Sequence, residues 1–77
     1  MSVAMQAKVV YEADLRRRLE TKNHGDFVAI EPDSRESFVA PTFIEAAMEA
    51  KAAHPDKKSF VIRVGYEAAV HIGAATR

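Results

Sequence analysis

Three histidines, a run of three arginines and one arginine inside a strand-like stretch are the residues of this chain best suited to chemistry. His24, His54 and His71 would serve a metal or acid–base role if spacing joined them. No His-x-x-x-His or Glu-x-x-His pattern does so, and His24 and His54 fall where helices are predicted to end, a position that favours a cation. The histidines therefore read as structural or solvated, and no metal site or cofactor is predicted. Arg16, Arg17 and Arg18, with Lys8 and Lys22 nearby, have the planar forks that suit phosphate. Glu12, Asp14 and Glu20 are interleaved with them at salt-bridging distance, so the run reads first as a solvated helix face and second as a nucleic-acid surface. Arg63 interrupts the most β-prone segment, where its charge must reach solvent, pair with a carboxylate or cross a subunit interface.

Nucleophilic chemistry has little to work with. Ser2, Ser34, Ser37 and Ser59 lie in no nucleophile elbow, cysteine is absent, and three glycines are too few for a phosphate loop. The chain is expected not to be an enzyme. A small enzyme using His24 or His71 is the third-ranked alternative.

The elements that would carry these residues form an α-β-β-α-β pattern with a possible extra strand. A helix is predicted from about Ala7 to Asn23, with Tyr11, Leu15 and Leu19 on one stripe and Gly25 suited to a left-handed cap. Phe27 to Ile30 is apolar at every position, which predicts a strand covered on both faces. Pro32-Asp33-Ser34 supplies turn chemistry, placing Arg35 and Glu36 at a hairpin tip, and Ser37 to Ala40 returns as a second strand. Thr42 and Glu45 form a capping box for a helix from Phe43 to about Ala53, on which Ile44, Ala47, Met48 and Lys51 share one side. Ser59 to Val64 is the strongest strand, with Phe60, Ile62 and Val64 predicted to face the helices. Val70 to Ile72 reads as a short fourth strand, with fraying from Ala74 onward.

These elements predict a single small α+β domain over residues 1–77, with its core in 8–73. The sheet is small and mainly antiparallel, in the order 2-1-3, with both helices on one face. Of the 48% apolar residues, 14 are alanines, leaving about 22 sizeable apolar side chains. A core of that size supplies only a few kcal/mol of net stability. One sheet face, with Val28, Ile30, Val39, Val61 and Arg63, is therefore expected to stay partly bare and to form an interface, making the chain a homodimer or the small subunit of a complex. Eleven basic and eleven acidic residues balance, which argues against a strongly basic field for nucleic acid or membrane. No transmembrane run or signal segment is read, so a cytoplasmic, bacterial protein is expected.

Several short blocks, in order, carry a resemblance. Gly-Asp-Phe-Val-Ala-Ile-Glu-Pro from Gly25, Phe-Ile-Glu-Ala-Ala from Phe43, Ala-His-Pro-Asp from Ala53 and Arg-Val-Gly-Tyr-Glu-Ala-Ala from Arg63 resemble a family of small, uncharacterised bacterial proteins. That family is known as a domain of unknown function. The likeness reaches back to Tyr11-Glu-Ala-Asp-Leu and implies a small α+β architecture, without an activity or site residue. The hairpin-then-helix segment is more loosely similar to HicB-type antitoxins, whose glycine-rich first strands and DNA-binding tail have no counterpart here. It leaves an antitoxin-like or regulatory nucleic-acid-binding protein as the second functional expectation.

Overall fold

The computed structural model describes residues 2–66. The predicted strand at Val70–Ile72, His71 and the predicted fraying all lie outside the described residues. The chain opens on a continuous helical run of three parts: α1, Val3–Val10; a π-helical turn, Tyr11–Leu15; and α2, Arg16–Lys22. It begins earlier than the expected Ala7 because Ser2 is a competent N-cap, its Oγ accepting the Met5 N–H at 3.1 Å.

The π turn was not legible from residue type, but its cause is. Ala7, Tyr11, Leu15 and Leu19 recur every four residues. In a plain α-helix each such step overshoots a full turn by about 40°, which would carry the stripe away from the core. At the π turn the Arg16 N–H reaches back five residues to the Tyr11 carbonyl. The wider turn absorbs the overshoot, and all four side chains stay buried. The run ends as predicted, with Gly25 left-handed at φ +91°.

Three strands follow: β1, Phe27–Glu31; β2, Glu36–Ala40; and β3, Phe60–Arg63. Their order is β2-β1-β3 and both pairings are antiparallel, with Val28 opposite Val39 on one side and Ile62 on the other. This is the expected α+β fold with a small antiparallel sheet in that order. The hairpin turn runs through Arg35, which takes a positive φ of 64°, and closes on a Glu31–Glu36 pair. Between the second and third strands lies α3, Phe43–Ala53, started by Thr42, whose Oγ1 accepts the Glu45 N–H at 3.1 Å.

The arrangement of layers corrects the prediction that both helices share one face. Alternate side chains of the sheet enter two separate cores. Val28, Ile30, Ile62 and Val64 pack with Ala7, Val10, Tyr11, Leu15 and Leu19 of the N-terminal helical run. Ala29, Ala40 and Val61 pack with Ala46 and Ala50 of α3. The helices therefore lie on opposite faces, as the all-apolar β1 requires: a strand without a polar face must be covered twice. Alanines make the second cover possible, because Ala46 and Ala50 bring the α3 backbone close above Ala29 and Ala40. Among the described residues no helix is long and apolar enough to cross a membrane.

Candidate interaction surfaces

The expected bare sheet face does not exist as an exposed surface. Val28 and Ile30 are completely buried and, with the half-buried Val39, lie under the N-terminal helices; Val61 is buried beneath α3 on the other side. Of the five proposed interface residues only Arg63 is exposed. Small residues cover the face that a count of bulky side chains leaves bare: Ala46 and Ala50 pack with Ala29 and Ala40.

What the second core leaves outside is α3's large residues. Ile44 and Met48, four apart and on one ridge, are 62% and 65% exposed. The stripe that carries Ile44, Met48 and Lys51 points away from the sheet, and the inward side is Ala46 and Ala50. A hydropathy pattern cannot separate these two sides, since both are apolar. Side-chain volume can: two alanines above two alanines fit a helix pressed onto a sheet.

At one end of the sheet Arg63 joins a ladder of rings. Its guanidinium carbon lies 4.1 Å from the Tyr66 ring centre and 5.4 Å from that of Phe27. Phe27 meets Phe43 edge-on at 6.3 Å, and His24 tilts against Tyr66 at 5.4 Å. The Arg63 Nε donates to the Gly25 carbonyl at 3.2 Å. His24 also lies over Gly65, where an added Cβ would come within 2.2 Å of its ring. Sequence spacing does not bring these residues together; the antiparallel Phe27–Arg63 register does.

At the opposite end His54 meets the hairpin. Its Nε2 makes a short contact with Glu36 Oε1 and lies 3.5 Å from Ser34 Oγ, while its ring packs edge-on to Phe38. A nucleophilic triad needs the carboxylate on one ring nitrogen and the hydroxyl on the other. Here both partners share Nε2, so the cluster is a latch between α3 and the hairpin. Glu31 beside it is the one buried charged side chain described, at 2% exposure. Burial pushes its carboxyl pKa up, but the N–H groups of Asp33 and Ser34, each donating at 2.9 Å, and nearby His54 bring the net value below the ordinary range. Lys57 is held by Asp33 at 2.9 Å.

Arg16 is fixed between Glu12 and Glu20, at 2.8 and 3.0 Å, as its spacing predicted. Arg17 and Arg18 are exposed and form no ion pair among the described residues. The arginine run thus offers two available cations, not three. On the inner side of this helix Tyr11 is buried with its hydroxyl 3.5 Å from Glu20; burial, then the Glu20 charge, raises its pKa. Among the described residues no group of three or more histidine, aspartate or glutamate side chains is placed to hold a metal ion.

Comparison with family models, with curated proteins and with solved structures finds no match to this chain.

Proposed function

We propose that the chain is a non-enzymatic association module, acting in the cytoplasm, whose surface is the outer ridge of α3 and whose partner is a second copy of itself. The observation that carries this reading is the outward placement of Ile44 and Met48 on a helix whose inward face is alanine. Hydrophobic side chains kept in water on a short, capped helix contribute nothing to the core, and a contact that covers them recovers their burial energy. A formal net charge of zero removes the general repulsion that keeps copies apart. Methionine adds a side chain that adapts to an apposed surface.

Sedimentation equilibrium tests the reading. The native chain is expected to dimerise in the micromolar range, and Met48→Glu is expected to be monomeric with an unchanged circular dichroism spectrum. A native chain that stays monomeric at high micromolar concentration would contradict it, as would a Met48→Glu variant that still dimerises.

A further inference from the structure

We infer that the outer edge of β3 receives an extended, acidic segment of a partner protein by strand addition, with Arg63 holding a carboxylate of that segment. This surface is separate from the α3 ridge and stands whether or not the chain dimerises.

The first support is the outer hydrogen-bonding edge of β3, unpaired among the described residues except for the Arg63 carbonyl, which accepts the Tyr66 N–H at 3.2 Å. Among the described residues β3 is an outer strand, paired only with β1. Val64 makes both its backbone bonds with the two residues just before β1: its N–H donates to the Asp26 carbonyl at 2.8 Å, and its carbonyl accepts the Gly25 N–H at 2.8 Å. Backbone direction alternates along an antiparallel strand. Ile62 and Phe60 therefore also turn their backbone groups toward β1, and the N–H groups of Val61 and Arg63 point outward. Such an edge supplies affinity to an added strand, and the side chains beside it supply selectivity.

The second support is the state of Arg63. Arg16 and Arg35 are each paired to carboxylates, Arg35 with Asp14 at 2.6 Å. Arg63 has no carboxylate within ion-pair distance among the described residues, yet it is not loose. Tyr66 and Phe27 hold its plane, and Gly25 holds its Nε. Its two terminal nitrogens form an oriented fork, which suits bidentate capture of a carboxylate at reduced entropic cost. Lys58, just before the other end of β3, is exposed and likewise without an ion pair among the described residues. The edge is thus basic at both ends, while the edge of β2 begins with Glu36. Charge complementarity selects an acidic strand.

Other occupants fit less well. Antiparallel pairing of two β3 edges would offer Arg63 no carboxylate, since the strand reads Phe-Val-Ile-Arg. Addition of β2 from one copy to β3 of the next is head-to-tail and gives a ring or a filament, not a discrete pair. Single-stranded nucleic acid needs free aromatic faces. Tyr66 already lies between Arg63 and His24, and Phe27 between Arg63 and Phe43.

The test is titration of the full chain into a fluorescein-labelled peptide of alternating threonine and glutamate, beside the same peptide with lysine for glutamate. Amide spectra of the protein are recorded in parallel. The glutamate peptide is expected to bind at least about tenfold more tightly than the lysine peptide, and Arg63→Gln is expected to lose about tenfold for the glutamate peptide alone. Binding should slow hydrogen exchange at Val61 and Arg63. The inference is overturned by absence of binding, by equal binding of both peptides, or by an undiminished affinity in Arg63→Gln. Spectral changes confined to β2 would overturn it too. So would Val61 and Arg63 amides already protected in the free chain, because the edge would then be covered by another part or another copy of this chain.

Discussion

At the scale of single residues, backbone conformation and buried charge set the sensitive positions. Gly25 and Gly65 both take left-handed φ values, +91° and +86°, but only Gly65 has a neighbour in the space of a Cβ. Gly25→Ala is expected to cost about 1–2 kcal/mol from φ alone. Gly65→Ala should cost more, because the His24 ring must leave its place against Tyr66. In a His24→Ala background the cost of Gly65→Ala should fall to that of Gly25→Ala; denaturant titration of the four variants and the parent measures it, and an unchanged difference would refute the steric explanation. Glu31 gives a pH dependence of defined sign. Its folded pKa is below its ordinary 4.5, so its contribution to stability is complete above that pH and is lost as pH falls through the folded value. Glu31→Gln is expected to be less stable at neutral pH and to lose stability less steeply on acidification, read from unfolding midpoints across that range. Neither position could be ranked from the sequence. Glu31 reads there as one more polar residue before a turn, and only the fold shows two backbone N–H groups converging on it.

At the scale of elements, the local signals were legible wherever one short stretch carries the whole cause. Thr42 caps α3 as its spacing with Glu45 requires, Gly25 ends the first helical run, and Pro32 to Ser34 turn the hairpin. The π turn was not legible because it answers to the whole stripe from Ala7 to Leu19 and not to its own residues. That origin makes a prediction. Deleting Ala13, an exposed residue inside the π turn, restores the three-and-four spacing of a plain α-helix to Val10, Tyr11, Leu15 and Leu19. The deletion variant is expected to fold, with a helical circular dichroism spectrum and stability within about 2 kcal/mol of the parent, in the range of a single substitution. Loss of cooperative unfolding would show that the wide turn is needed for more than register.

At the scale of the whole molecule, strand order and hairpin pairing followed from a short turn and a right-handed crossover, while the layering did not. The apolar pattern of β1 already required two covered faces, but a count of bulky side chains pointed to one. Ala46 and Ala50 resolve the conflict: close approach, not bulk, covers the α3 side. The same arrangement leaves the outside of α3, not the sheet, as the exposed apolar surface proposed for association. The most direct measurement is a dilution series followed by methyl and amide resonances of the native chain. The account predicts concentration-dependent shifts centred on Ile44 and Met48, with the Val28, Ile30 and Val64 methyls constant. Shifts centred on Val28 and Ile30, or none at any concentration up to high micromolar, would contradict it.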